Sequence, residues 1–281
     1  MKSVIVRLRE YYNEASTTEK EIVKYVIKHP EETSQMTVYK LAEKTFSSPA
    51  SIIRMCQKNG FGGFKDFSKA LIFELAMRSQ NQSAEKSEIT KSDRIEDIIE
   101  KVTYKNIISL EDTKNLMDPE TLNKSIQLLI NSENICIYGI GSSLIVAKDA
   151  QQKFMRLNKH CSVSDDWHLQ LLSARNMSDR DVGIIVSYSG QTAEMIECAN
   201  TMKENGVKII SITKYGTSPI VEICDYNIFV AANESTFRSG AMSSRISQLN
   251  VIDILYTGFA NTQYEKSLQL IAKTHIRKGN N

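Results

Sequence analysis

The 281-residue chain contains no run of about 18 apolar side chains, so it offers no segment able to span a bilayer as a helix. Its opening residues, MKSVIVRLREYYNEAS, lack the apolar stretch and small-residue cleavage site of a secretory leader. The protein is therefore expected to stay in the cytoplasm. Cysteine is sparse and poorly placed for chemistry. Cys56, Cys136, Cys161, Cys198 and Cys224 are odd in number and form no C-x-x-C pair, which points to reduced, buried thiols instead of a disulfide framework. The four histidines show no H-x-x-x-H spacing, so no metal site is expected. Neither sign of charge dominates, with a net charge of +2.

What is present is an ordinary globular composition, 41% hydrophobic and 24% charged, in a length that suits one large domain or two ordinary ones. The charge is uneven. Residues 1–80 hold 13 Lys and Arg against 9 Asp and Glu, a net +4 that leaves −2 for the rest. A mildly basic N-terminal third is compatible with an anionic partner, although solvated helix faces have the same composition.

Residues 79–93, SQNQSAEKSEITKSD, are almost devoid of apolar side chains and read as a linker between two domains. Before them the pattern is helical. Thr18-Glu19-Lys20-Glu21 can cap a helix with Ile22, Val23, Val26 and Ile27 inside, stopped at Pro30. Thr37 can cap a short helix that turns Val38, Leu41 and Ala42 inward. Ser48 followed by Pro49 opens another, with Ile52, Ile53 and Cys56 as its buried stripe and Gly60 at its end. The aromatics of GGFKDFSKALIFELAM fall at helical spacing and read as core.

After the linker, two helices over about 94–131 precede an alternation of apolar runs and helical segments. The runs 134–139, 161–164, 181–187, 207–213 and 226–231 predict strands, and 143–157, 167–174, 191–205 and 241–260 predict helices. That grammar specifies an α/β doubly wound domain with a parallel sheet, in which ligands sit outside the carboxyl ends of the strands.

Two places carry chemistry. The helices at 37–44 and 48–59 have helix-turn-helix spacing, which in DNA-binding proteins puts the second helix in the major groove. Ser48, Pro49, Ser51, Arg54, Gln57 and Lys58 would lie on its open side. Arg54 suits guanine or phosphate, and Lys58 and Lys65 suit phosphates. A plain helical bundle could show the same turn. In the second domain, Gly139-Ile140-Gly141-Ser142-Ser143 follows one strand and Ser187-Tyr188-Ser189-Gly190-Gln191-Thr192 another, each leading into a helix. Leu144 replaces the third glycine of a dinucleotide loop, so no nicotinamide cofactor is expected. A helix cap needs one hydroxyl, whereas the second loop offers three beside a glycine that lets a ligand approach. The second loop reads as an anion cradle, and the pair would hold a phosphate in one loop and the rest of a small molecule in the other.

GIGSS together with SYSGQT resembles the SIS (sugar isomerase) domain, a phosphosugar-binding α/β module. With SPASIIRMCQKNGFGGFKDF ahead of the linker, the chain resembles the RpiR (MurR/RpiR) family of bacterial transcriptional regulators over about residues 1 to 265. The resemblance implies an all-α helix-turn-helix domain at 1–78, a linker at 79–93, and a SIS domain with leading helices at 94–281. It implies a homo-oligomer, dimer or tetramer, in which the N-terminal helices bind operator DNA and the SIS domain senses a sugar phosphate, with no cofactor, metal or membrane. Carried over, Ser142, Ser143, Ser187, Ser189, Gly190 and Thr192 would hold the effector, with His168 and Glu234 as further contacts. Ser48, Pro49, Ser51, Arg54, Lys58 and Lys65 would face DNA. Ser47, Ser51 and Asn59 depart from the residues usual in the family. SIS domains also occur in aldose–ketose isomerases, so the alternative is a phosphosugar isomerase or lyase with a helical oligomerisation domain, using Glu234 or His168 as base. A helix-turn-helix would be superfluous there, and no catalysis is expected.

Overall fold

In a computed structural model of the protein, the residues described are 4–78, 89–232 and 241–275. The chain divides into two compact units, Met1–Val102 and Thr103–Asn281.

The first unit is helical: α1 (Val4–Tyr11), α2 (Thr17–Lys28), α3 (Pro30–Ser34), α4 (Val38–Lys44), α5 (Pro49–Lys58) and α6 (Phe64–Arg78). Helix α2 begins earlier than Thr18 suggests. Ser16 Oγ accepts from the Glu19 amide, and the Glu19 carboxylate accepts from the Ser16 amide at 3.0 Å. That reciprocal box satisfies two otherwise orphaned donors, and Thr18 is already helical. Thr37 and Ser48 cap α4 and α5 as expected, with Pro49 at the first helical position. The buried stripe of α5 is Ile52, Met55 and Cys56; Ile53 is 38% exposed. Met55 and Cys56, three and four residues on from Ile52, share its face, whereas Ile53 falls outside it. Leu8, Ile22, Leu41, Ile52, Met55, Phe67 and Leu71 close the core, with Phe61 and Phe67 meeting edge to face at 5.5 Å.

Helix α7 (Ile95–Leu116) carries the chain across the division between the units, ahead of α8 (Pro119–Asn131), which Asp118 caps. Residues 79–88 of the expected linker lie outside the described residues. The second unit then runs β1 (Asn134–Tyr138), α9 (Ser142–Arg156), β2 (His160–Ser162), α10 (Trp167–Asn176), β3 (Val182–Val186), α11 (Ala193–Glu204), β4 (Lys208–Lys214), α12 (Pro219–Ile223), β5 (Tyr226–Val230), α13 (Ser243–Thr262) and α14 (Tyr264–Lys273). Helices α12 and α14 have no counterpart in the sequence reading, although Ser218-Pro219 is a cap followed by a first-turn proline.

The five strands are parallel in the order β2-β1-β3-β4-β5. Alternate residues feed two cores. Ile135, Ile137, Val182, Ile184 and Val186 pack on one face with Val146, Phe154 and Leu255. Cys136, Tyr138, Ile185 and Ile209 pack on the other with Met195 and Met202. Burial on both faces is why the strands read as unbroken apolar runs. All five thiols are buried, and burial pushes those of Cys56 and Cys161 up to about 12, so they stay protonated. Among the described residues no helix is long and apolar enough to cross a membrane.

Candidate functional site

The strand order places the site. From β1 the chain passes to β2 on one side, then returns to β3 on the other. The crevice at such a reversal lies outside the carboxyl ends of β1 and β3, and there the two hydroxyl-rich loops meet. A cavity of about 410 Å³ is lined by Ile140 and Ser143 from the first loop, by Ser187, Tyr188, Ser189 and Thr192 from the second, and by Ser244 at the start of α13. The volume falls in the range of small-molecule pockets.

The second loop is held rather than loose. The Ser187 amide donates to the Ile212 carbonyl at 3.1 Å, and the Lys214 amide and Thr213 hydroxyl both donate to the Tyr188 carbonyl, at 2.9 and 3.2 Å. Within it, Ser187 Oγ and Thr192 Oγ1 lie 3.3 Å apart, and the Gln191 amide donates to Ser189 Oγ at 3.2 Å. Gly190 has φ 65, and a Cβ there would lie 2.2 Å from Ser218 Oγ, so the turn requires glycine.

Electrostatics come from the backbone. Asp118, Asp166 and Ser218 cap α8, α10 and α12 with their side chains. Helices α9 and α11, whose first turns line the cavity, begin at Gly141 and Thr192 without a side-chain cap. The Ser143 and Leu144 amides of α9 donate to the Ile140 and Gly141 carbonyls, both at 3.2 Å, and the partial positive charge of both helix N-termini still faces the cavity and suits an anion. The Ser142 hydroxyl is buried and without a hydrogen-bond partner among the described residues. Among the described residues no Asp, Glu, His, Lys or Arg lines the cavity.

The structure brings Ser143, Ser187, Ser189 and Thr192 to one cavity, with Gly190 shaping the loop. It does not bring His168 there: that ring is exposed on α10 and stacks on Trp167 at 4.7 Å. Glu234 lies outside the described residues. Sequence reasoning missed Gln170, which is 2% exposed. Its amide donates to the carbonyls of Gly139 and Ser164 at 3.1 and 2.9 Å and accepts from the Gly139 amide at 3.2 Å, fixing the first loop. No motif marks it, because its partners lie on other elements.

In the helical unit, Ser48, Arg54, Lys58 and Lys65 are exposed, and Pro49 and Ser51 are half-buried. Ser48 Oγ accepts from the Ser51 amide at 3.1 Å, and Arg54 Nη2 lies 3.4 Å from Ser51 Oγ. Asn59, unusual for the family, is 1% exposed: its side-chain amide donates to the Met55 carbonyl at 2.8 Å, and its own carbonyl accepts from Arg7 at 2.7 Å. Lys58 already has a partner, since Nζ donates to Glu19 Oε1 at 2.7 Å. Burial works to raise the Glu19 carboxyl, but hydrogen bonds from Lys58, Ser16 and Tyr11 overcome it and hold its pKa down at about 2.

This pair ties α5 to α2 and carries a pH signature. A carboxyl whose pKa is lowered on folding contributes stability above its unfolded value, near 4.5, and loses it as pH falls toward 2. Glu19→Gln is expected to lower the urea midpoint of the helical unit near neutral pH, and the gap to wild type should close across that window. A gap unchanged at low pH would show that the charge is not what holds α5.

Residues 2–78 match the helix-turn-helix domain of the rpiR family, and residues 128–258 match the SIS domain. An HTH-type transcriptional regulator of Caldanaerobacter subterraneus subsp. tengcongensis is 37% identical over 285 residues, covering 100% of both chains. Another, YbbH of Bacillus subtilis, is 33% identical over 92% of this chain and 90% of its own. Among solved structures, the NanR protein of Vibrio vulnificus complexed with ManNAc-6P is similar at a TM-score of 0.60, with 25% identity over 96% of each chain. The sugar isomerase domain of an RpiR transcription factor from Sphaerobacter thermophilus shares the fold at a TM-score of 0.58, with 20% identity over 63% of this chain and 97% of that one. With both domains in the family's order and a relative matched from end to end, this chain belongs to the RpiR family of helix-turn-helix transcriptional regulators that carry a SIS domain.

Proposed function

We propose that the chain is a repressor of carbohydrate-metabolism genes, working in the cytoplasm as a homo-oligomer of two or four copies. Residues 1–78 read operator DNA, 79–93 link, and 94–281 sense a sugar phosphate in the cavity between the GIGSS and SYSGQT loops. One observation carries the sensing role: α9 and α11, whose first turns line the cavity, both start without a side-chain cap, and hydroxyls of Ser143, Ser187, Ser189 and Thr192 surround the same space. That arrangement suits a phosphate bound by amides and hydroxyls. NanR, similar along nearly its whole length, is complexed with ManNAc-6P, which supports the same ligand class here. The effector would bind two arrangements of the oligomer unequally and shift the DNA-competent population.

The test is a thermal-shift panel of sugar phosphates, followed by a gel-shift on DNA upstream of neighbouring genes at low salt, with and without the stabilising compound. A panel without any shift, and no retarded DNA, would sink the proposal. Ser189→Ala removes one hydroxyl at the mouth of the cavity. It is expected to weaken effector binding about tenfold, the loss of a hydrogen bond to a charged group, while leaving DNA affinity unchanged. The isomerase alternative predicts turnover of a hexose or pentose phosphate that Glu234→Gln abolishes.

A further inference from the structure

Two non-glycine residues among those described have positive φ, Asn158 and Phe46. Asparagine tolerates this region, whereas a bulky aromatic gains nothing there from its own backbone. Phe46, at φ 48, is also 98% exposed, the most open of the large apolar side chains described. It sits midway in the Thr45–Ser47 turn that joins α4 to α5.

The turn itself is fixed. The Phe46 amide donates to the Glu43 carbonyl at 3.3 Å and the Ser47 amide to the Ala42 carbonyl at 2.9 Å. The Thr45 hydroxyl donates to the Leu41 carbonyl at 2.8 Å and lies 2.9 Å from Ser47 Oγ. The ring is therefore held out in solvent by a turn anchored on both sides. Glycine would remove the backbone cost and a polar residue the exposure, and the sequence uses neither.

The surroundings indicate what covers it. From Lys44 to Lys65 the sequence has no Asp or Glu, while Lys44, Arg54, Lys58 and Lys65 fall within the stretch. Lys58 is paired with Glu19 and Lys44 lies 3.9 Å from Glu32, so the cations of this stretch open to a polyanion are Arg54 and Lys65. Two residues after Phe46, Ser48 opens α5, whose first turns present Ser51 and Arg54. A helix entering the major groove by its N-terminal end brings the preceding turn to the sugar-phosphate rim.

We propose that Phe46 is a DNA-contacting side chain, packing its ring on the deoxyribose edge beside the groove that α5 enters. This rests on the reading of α4 and α5 as the operator reader. An apolar contact on sugar displaces water without neutralising a phosphate, so it adds affinity and leaves the salt dependence alone.

The experiment uses full-length protein and a duplex enriched from a random pool by the wild type. Phe46→Gly suits the positive φ and should keep or raise the melting temperature. It is expected to bind that duplex about tenfold more weakly, the value of partly burying a phenylalanine, with an unchanged slope of log K against log salt. Phe46→Tyr should bind near the wild-type level. A Phe46→Gly variant with wild-type affinity overturns the contact, as does a loss of affinity accompanied by a smaller oligomer in sedimentation, which would assign the ring to a protein interface. If the wild type enriches no duplex, the operator reading falls and the contact with it. Wild-type binding with an indifferent Phe46→Gly removes the contact alone.

Discussion

Gly139→Ala is expected to abolish effector binding and to cost the SIS unit about 1–3 kcal/mol, the typical result of overpacking a close contact. The added Cβ would lie 2.9 Å from the Ser143 carbonyl oxygen, 3.0 Å from its carbon and 3.2 Å from the Leu144 amide nitrogen. All three atoms belong to the backbone of the first turn of α9, so no side chain can rotate away. The strand end cannot retreat easily, because Gln170 grips Gly139 through both its amide and its carbonyl. Relief therefore comes from pushing α9 outward, which carries the Ser143 hydroxyl away from Ser187 and Thr192 across the cavity. The measurement is a thermal melt with and without the stabilising sugar phosphate. The variant should melt lower and lose the ligand-induced shift, while DNA retardation at low salt persists. A ligand-induced shift of wild-type size would show that the first loop does not shape the phosphate end.

Elements whose signals are local were legible in the sequence. The strands were recognisable because both faces of a parallel sheet are covered, making Gly183-Ile184-Ile185-Val186 and Ile209-Ile210-Ser211-Ile212 near-continuous apolar runs. The caps at Thr37 and Ser48 were readable because each accepts from an amide three residues on. Pairings across the fold were not. Lys58 reads as an open cation until Glu19, 39 residues earlier, is placed beside it. Ile53 and Met55 differ only in which face of α5 they occupy. Ser244 joins the cavity from α13, and nothing in its neighbourhood of sequence refers to β1 or β3. The juxtaposition of the two loops follows from the strand order, which is a property of the whole sheet and of no motif. His168 shows the converse: a residue type suited to a site, close in sequence to a strand end, whose helix turns it to solvent.

Arg54→Ala is expected to weaken specific DNA binding by about 1–3 kcal/mol, roughly tenfold to a hundredfold. The side chain is exposed on α5, and no carboxylate pairs with it among the described residues, so its guanidinium remains available to DNA. Ser48 fixes the start of the helix by accepting from the Ser51 amide, and Ser51 Oγ lies 3.4 Å from Arg54 Nη2, at the long end of a hydrogen bond that can bias the side chain's direction. Two substitutions separate what it reads. A planar fork to guanine cannot be reproduced by an ammonium, so Arg54→Lys would fail to restore sequence preference. A phosphate contact would be largely restored by lysine, and Arg54→Ala would then reduce the slope of log K against log salt by about one. In either case the thermal shift produced by the sugar phosphate should be unchanged, because the cavity lies wholly within residues 140–244 of the other unit. An alanine variant with wild-type affinity and slope would remove Arg54 from the interface and leave reading of the groove to Ser48, Ser51 and Gln57.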